Sequence, residues 1–401
     1  MRERVVVTGL GVVSPFNPDG DRERFWASLC AGETAVGAVR SFDASAYACR
    51  VAAEVDRRLL HDGAADPAFC MAERAFDRSL EHAGVAPRTA APGRTGVVVG
   101  TVLGGTVSGE RYLRARARGD PGAAETLAQY PLRAIAAGLA AKAGLTGPVL
   151  TVSTACASGT DAIGLAYRTI ASGAADVMVA GGVDAVCELS FSGFCALRAL
   201  TPDRVRPFSR NRTGLALGEA AAFLVLERDG SARERGAPPL AHVAGYAARA
   251  DAFHLTAPHR DGRGLAAAVT AVLEDAAVAP DEIDYVSAHG TGTPYNDRME
   301  TLALKTALGA RAARVPISSV KGALGHAFGG AGAVEAAVCL LAIRDGLVPP
   351  TVNLEEPDPE CDLDYVPLVA RRAVVNAVMS NSNGLGGQNA SLILRRVSEK
   401  G

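Results

Sequence analysis

The sequence predicts an α/β protein built from two related halves. Three observations lead there. Glycine is abundant, aromatic residues make up only 5% of the chain, and strand-like runs alternate with helix-like runs. Four segments of the first half recur in the same order in the second. Two helix-like stretches are apolar or small nearly all round, which suits burial on several sides.

The apolar runs VVVTGLGVV, GVVVG, VLTVS, DVMVAGG and FLVLE read as strands buried on both faces. A second set follows: HVAGY, DYVSAHG, VPISSV, AVMSNSN and SLILRR. Residues 94–105 match 284–294, 149–164 match 315–335, and 176–185 match 376–387; AAAFLVLERD matches NASLILRRVS. In each half a strand ends in a small-residue turn that opens a helix. This is the pattern of a duplicated βαβ-type unit, dividing near GAPPL into residues 1–236 and 237–401. The all-round apolar helices, Gly159–Ala175 and Gly329–Ile343, are expected to lie between two sheets, with other helices on the outer faces.

Totals exclude several functions. Among 401 residues the formal net charge is −2, so no global field favours nucleic acid or an anionic membrane. The longest apolar stretch, Ala331–Ile343, contains Glu335 and is too short to span a bilayer. The N-terminus lacks a signal-peptide shape, so a cytoplasmic location is expected. Eight cysteines show no CxxC and no metal-like spacing, which predicts free thiols, seven of them buried as small hydrophobes.

The eighth is Cys156, in TVSTACASGT, where a strand-like run gives way to a helix. The first turn of a helix carries unpaired N–H groups and partial positive charge, which lower a thiol's pKa. Small neighbours would let a substrate carbonyl reach the backbone. A small residue at a crowded turn is the structural alternative. His289 in SAHGTGTP and His326 in KGALGHAFGGAG also follow strands and are flanked by glycines. In a duplicated α/β scaffold all three fall at carboxyl ends of strands, where ligand crevices form. No HExxH or Cys/His spacing points to a metal.

TACASGTDAIG, SAHGTGTPYNDRMET, SVKGALGHAFGGAGAVEAA and SNSNGLGGQNAS resemble the signature segments of β-ketoacyl-acyl carrier protein synthases. These are the elongating condensing enzymes of type II fatty acid and polyketide synthesis, in the thiolase superfamily. The resemblance extends to VVVTGLGVVSPF, RPFSRNRTGLALGEAAAFLVLE and DAFHLTAP. It implies a thiolase fold with five αβαβα layers, normally dimeric, and no tightly bound cofactor. Substrates would arrive on the phosphopantetheine of an acyl carrier protein. A homodimer, or a heterodimer with a chain-length-factor-like subunit, is expected.

The resemblance also implies roles. Cys156 would take the acyl chain as a thioester. His289 and His326 would bind the malonyl thioester carbonyl and stabilise the enolate left when CO2 departs. Lys321, five residues before His326, would fix that histidine's environment, and Glu335 would pair with Lys321 or order water near it. Asp297 matches a structural acid. The backbone N–H groups of Cys156 and Leu385 would form an oxyanion hole. Thr291, Thr293, Gly386, Gly387, Ser108 and Gly109 would contact substrate. A charged lysine so near would depress the histidine pKa values and keep the rings neutral.

Two departures stand out. Relatives usually carry FGFGG in the last glycine-rich turn; here it is NGLGG, with Asn383 and Leu385 in place of the phenylalanines. Ser108 and Gly109 are smaller than the usual apolar residues and could open a deeper acyl pocket or one lined by a dimer partner, as in a specialised pathway. Arg111, Arg114 and Arg118 share a helical face and, with Arg204, Arg206 and Arg210, could meet an acidic carrier protein. His254 is expected in a loop beside the site, in a structural role.

Other readings are weaker. A thiolase needs a second cysteine in the last glycine-rich motif, and SNSNGLGGQN has none. An initiating synthase pairs histidine with asparagine. A catalytically dead chain-length factor lacks the nucleophilic cysteine. An acyltransferase passing the chain to an amine or alcohol remains open, as does a synthase active only beside a chain-length factor.

Overall fold

The computed structural model describes residues 3–60, 65–85 and 93–397. Ten strands form the main sheet: β1 (Val5–Val13), β2 (Thr95–Gly100), β3 (Val149–Val152), β4 (Val177–Asp184), β5 (Ala220–Arg228), β6 (Ala241–Ala250), β7 (Tyr285–Ser287), β8 (Ile317–Ser318), β9 (Ala377–Gly384) and β10 (Gln388–Arg395). The helices that matter for the site are α1 (Pro67–Ala83), α2 (Thr106–Ala117), α3 (Ser158–Ala171), α4 (Glu188–Ala196), α5 (Arg263–Ala276), α6 (Pro294–Leu308) and α7 (Ala331–Asp345).

The sheet order is β8-β7-β9-β10-β6-β1-β5-β4-β2-β3. Read outward from the centre, one side runs β1-β5-β4-β2-β3 and the other β6-β10-β9-β7-β8. Adding five to each strand of the first gives the second. Pairing directions match as well: antiparallel for β1–β5 and β4–β5, and for β6–β10 and β9–β10; parallel for the outer pairs on both sides. The four recurrences read from sequence are the pairs β2/β7, β3/β8, β4/β9 and β5/β10. The expected two sheets are continuous, because Val5–Val7 of β1 pair antiparallel with Ala241–Val243 of β6. The expected division at 236/237 falls between a short helix ending at Glu234 and the start of β6.

The helices α3 and α7 sit between the halves and pack against strands of both and against each other. Every residue of α7 from Ala331 to Ile343 is buried. Its alanine-rich sequence favours helix, and Gly346 at φ 60° ends it in a left-handed cap. Close approach explains Gly159: a Cβ there would lie 2.7 Å from the backbone N of Ala333 and the backbone O of Gly329. With α1 on the outer face of one half and α5 on that of the other, the layers are αβαβα, the thiolase arrangement.

Two expectations need correction. β1, β2 and β4 are buried throughout, but β3 is not: it closes one edge of the sheet, with Val149 and Leu150 39% and 38% exposed. Val149 and Leu150 face away from the core of this protomer, while Val152 packs against it. Cys30, Cys49 and Cys195 are half-buried; the other five cysteines are buried, and all eight are free. Among the described residues no helix is long and apolar enough to cross a membrane.

Candidate active site

Cys156, His289 and His326 converge from three different strand ends. Cys156 directly precedes the N-cap of α3, His289 follows β7, and His326 follows the short helix Lys321–Leu324 after β8. One side-chain ligand atom from each lies within 4.8 Å of the others. The two imidazole centroids are 5.2 Å apart and nearly perpendicular. All three residues are buried.

Local backbone geometry aims the thiol. Ala155, just before it, holds φ 51°, a left-handed conformation costly for a residue with a Cβ. Ser158 stabilises this turn: its hydroxyl donates to the Ala155 carbonyl (2.5 Å) and accepts from the Thr154 N–H (2.9 Å). The glycine-rich turn after β9 presses on the same corner. A Cβ on Gly384 would lie 3.2 Å from the Cys156 backbone N and 3.0 Å from the Thr154 carbonyl oxygen. Any larger residue would push the turn off the cysteine. Leu385, next in the turn, donates its backbone N–H to the sulfur.

Hydrogen bonds fix both histidine tautomers. The Phe328 N–H donates to His326 Nδ1 (3.1 Å). Lys321 Nζ lies 3.3 Å from His289 Nδ1 and, as an ammonium with no lone pair, donates to it. Each ring therefore accepts at Nδ1 and carries its proton on Nε2. Burial, then the Lys321 charge, holds both pKa values well below the usual 6.5, so both rings are neutral. A metal would need the Nε2 lone pairs that these tautomers lack. The 4.8 Å cluster is thus arranged to donate hydrogen bonds.

Lys321 contacts His289, and its charge also acts on His326, the histidine expected to depend on it. The lysine's helix starts where β8 ends, and the ammonium crosses to His289. Glu335 of α7 forms the expected buried ion pair with Lys321. Burial pushes the Glu335 carboxyl up to about 7 against the pull of that lysine. Asp297 is structural: it accepts from the backbone N–H groups of Phe208 (2.7 Å) and Gly292 (3.2 Å).

The expected depression of the Cys156 pKa is not what the surroundings produce. Burial raises the thiol to about 11, although the Leu385 N–H and the Lys321 charge pull it down. Desolvation of a thiolate in this buried corner outweighs both of those pulls.

Two cavities meet at the sulfur. One, about 330 Å³, is bordered by both histidines, Thr291, Thr293, Asn383 and Gly386. The other, about 440 Å³, is bordered mainly by apolar groups, including Val102, Leu103, Phe194 and Phe328. Cys156 and Leu385 border both, so the leucine stands at the partition. Ser108 and Gly109 border neither. Ser108 donates its backbone N–H to Asp66 (2.8 Å), and Tyr130 occupies the space beside Gly109. Gly387 shapes the turn instead of lining it, donating its N–H to the Gly384 carbonyl (3.0 Å) at φ 80°. His254 lies in an exposed loop, and its Nδ1 accepts from the backbone N–H groups of Thr256 and Ala257 at the mouth of the first cavity.

Four of the six arginines are paired with acids. Arg114 pairs with Glu188 and Glu110, Arg204 with Glu355, Arg206 with Asp203 and Arg210 with Glu356. Arg111 donates to the Ala65 carbonyl (3.1 Å).

Two carboxylates escaped the sequence reading. Glu300 of α6 accepts from the backbone N–H groups of His289 (2.7 Å) and Gly290 (2.8 Å), fixing the histidine's main chain. Asp184 at the end of β4 accepts from Thr101, Val102, Leu103 and Gly329, tying the wall of the apolar cavity to the turn after His326. Asp184 at least is an acid at a strand end, whereas Glu300 lies mid-helix, and nothing local marks the targets of either.

Comparison with known proteins agrees with this geometry. Residues 2–232 match the family "Beta-ketoacyl synthase, N-terminal domain", and residues 240–355 match "Beta-ketoacyl synthase, C-terminal domain". The tetracenomycin polyketide synthase ketoacyl synthase alpha subunit of Streptomyces glaucescens is 42% identical, over 99% of this chain and 98% of that one. The 3-oxoacyl-[acyl-carrier-protein] synthase 2 of Synechocystis is 38% identical over 98% of each. Among solved structures, the ishigamide ketosynthase/chain length factor superposes with TM-score 0.93 at 37% identity, covering 99% of this chain and 100% of that one. A type II polyketide synthase acyl-carrier protein in complex with its ketosynthase bound to the hexaketide gives 0.92 at 31%, with the same coverage. The chain belongs to the beta-ketoacyl synthase family of condensing acyltransferases.

Proposed function

We propose that this protein condenses an acyl chain held on Cys156 with a malonyl group delivered by an acyl carrier protein, losing CO2. The observation that carries this reading is the pair of buried, neutral Nε2–H donors beside a single cysteine.

In the first half-reaction the Cys156 sulfur attacks the thioester carbonyl of an acyl carrier arm. The tetrahedral oxyanion is stabilised by the backbone N–H groups of Cys156 and Leu385. Collapse breaks the bond to the arm's sulfur, which takes up the proton given up by Cys156 and leaves as a thiol; acyl-Cys156 remains, with the chain in the apolar cavity. In the second, malonyl carrier protein places its thioester carbonyl between His289 and His326. Breaking the carboxylate C–C bond releases CO2 and moves the electron pair onto the thioester as an enolate. Neutral donors stabilise that charge without supplying an acidic proton that would quench the carbon nucleophile. The enolate carbon attacks acyl-Cys156, and collapse of the second oxyanion frees the cysteine and leaves a β-ketoacyl thioester on the carrier. Each step uses residues of this chain and a phosphopantetheine-borne substrate.

The exposed apolar edge β3 and the exposed Leu189 and Leu197 around α4 suit burial against a second subunit of the same fold. That subunit is a second copy or a chain-length-factor-like partner. Because α4 also walls the apolar cavity, the partner would help set acyl chain length.

Intact-mass analysis with a panel of acyl-carrier proteins tests the first step. A stable acyl adduct is expected on the protein and absent in Cys156→Ala. An adduct that survives in Cys156→Ala rules out the assignment.

A further inference from the structure

His326 is held from two sides. Its main chain is clamped by residues 216–218: its N–H donates to the Ala216 carbonyl (2.8 Å), and its own carbonyl accepts from the Gly218 N–H (2.9 Å). Its ring is oriented by the Phe328 N–H on Nδ1, the bond that leaves the proton on Nε2. Phe328 delivers that N–H from a left-handed conformation, φ 48°, which is costly for a residue with a side chain and has to be held in place by its neighbours. The next amide in the chain, the Gly329 N–H, donates to Asp184 Oδ2 (2.7 Å). Gly329 is fitted closely there: a Cβ would lie 2.8 Å from Asp184 Oδ2 and 2.7 Å from the Thr101 Cα. Two successive N–H groups thus have separate acceptors, an imidazole and a carboxylate.

Asp184 is fully buried at the end of β4. Burial raises its carboxyl to about 6 against the pull of its hydrogen bonds, so at neutral pH it is mainly a carboxylate, which only accepts. Oδ1 accepts from the Thr101 hydroxyl (2.6 Å) and the Leu103 N–H (2.8 Å), and Oδ2 from the Val102 N–H (2.9 Å) as well as from Gly329. The Thr101 oxygen accepts in turn from the Gly104 N–H (2.9 Å), which commits its proton to the acid. Asp184 borders neither cavity, so any effect on the reaction passes through the residues it holds. Building on the condensing reaction proposed above, we infer that Asp184 is a positioning residue for decarboxylation. By anchoring Gly329 it keeps the Phe328 N–H on His326 Nδ1, and with it the Nε2–H that stabilises the enolate. The same carboxylate holds Val102 and Leu103, which border the apolar cavity beside Phe328, so one acid sets the imidazole and the pocket wall in a common frame.

The test separates the two half-reactions in the full-length protein. CO2 release from malonyl carrier protein reads the step that uses His326, and acetyl transfer from acetyl carrier protein to Cys156 reads the step that does not. Asp184→Ala is expected to lower CO2 release about 10-fold, the size of a lost hydrogen bond, and to retain acetyl transfer. Loss of the Asp184 charge, which helps raise the Cys156 thiol, would not slow that transfer. In a His326→Ala background the same substitution should cost nothing further, because its effect passes through that ring. Gly329→Ala, which presses a methyl against Asp184 Oδ2, serves should loss of the acid prevent folding, with the same expectations. A full further loss in the His326→Ala background overturns the inference, since the acid would then act on the fold as a whole. So does an equal loss of both half-reactions in the single variant, or CO2 release at the wild-type rate. Absence of CO2 release in the wild type defeats the condensing reading itself, whereas normal wild-type release with additive losses defeats only the role of Asp184.

Discussion

A thiol and two imidazoles have little chemistry until their surroundings fix their protons. At Cys156 burial favours the neutral thiol, with a pKa near 11. Alkylation requires the thiolate, so its rate should climb roughly tenfold per pH unit between about pH 7 and 9, because these values lie below the raised pKa. Iodoacetamide kinetics read by mass check this; a plateau below pH 8 contradicts it. At His289 the controlling neighbour is Lys321, held in turn by Glu335. Lys321→Ala should leave Glu335 buried and unpaired, lowering stability by about 3 kcal/mol in denaturant titration. It should also weaken decarboxylation more than Cys156 acylation, since His289 Nδ1 loses its donor. Equal loss of both activities would contradict the assignment of Lys321 to the second step. Much of this was legible in the sequence: the cysteine at a strand-to-helix junction and the two glycine-flanked histidines. Their tautomers were not, because these depend on a backbone N–H two residues away and on a lysine 32 residues distant. Nor was the raised thiol pKa, since a helix start is a local signal and enclosure is not.

At the scale of elements, packing decides where these residues can go. The helices α3 and α7 touch because Gly159 and Gly332 carry no side chain: a Cβ on Gly332 would lie 2.1 Å from Thr160 Oγ1. Gly159→Leu should therefore separate the helices, destabilise the protein by at least about 1–3 kcal/mol and displace Cys156, three residues earlier. Thermal melting and the acylation rate measure both effects; a variant with unchanged melting and rate would show that the helices are not held at that contact. Helix and strand identity was readable from period and composition for these segments. The edge position of β3 was not, since an apolar run reads the same whether it faces a core or another subunit. Ser108 and Gly109 show the same limit: their small size suggested an open pocket, but Tyr130, distant from them in sequence, fills the space.

Across the whole molecule, duplication brings the site together. One half supplies Cys156 and the other supplies His289, His326, Lys321 and Glu335, and the matching strand orders place all of these at one end of the sheet. The repeat was visible as four ordered recurrences, whereas the seam between β1 and β6 rests on a pairing that no motif announces. The exposed β3 edge predicts that the protein elutes as a dimer, alone or with a partner subunit. Val149→Lys with Leu150→Glu should shift it toward monomer in size-exclusion chromatography; an unchanged dimer would place the interface elsewhere. The central claim is that the two neutral imidazoles stabilise the enolate while the sulfur holds the chain. It is tested most directly by measuring CO2 release from malonyl carrier protein in His289→Ala and His326→Ala that still form the acyl-Cys156 adduct. The account predicts that release falls by at least about 100-fold in each, the size of a lost oxyanion donor. Release at the wild-type rate in either variant would contradict it.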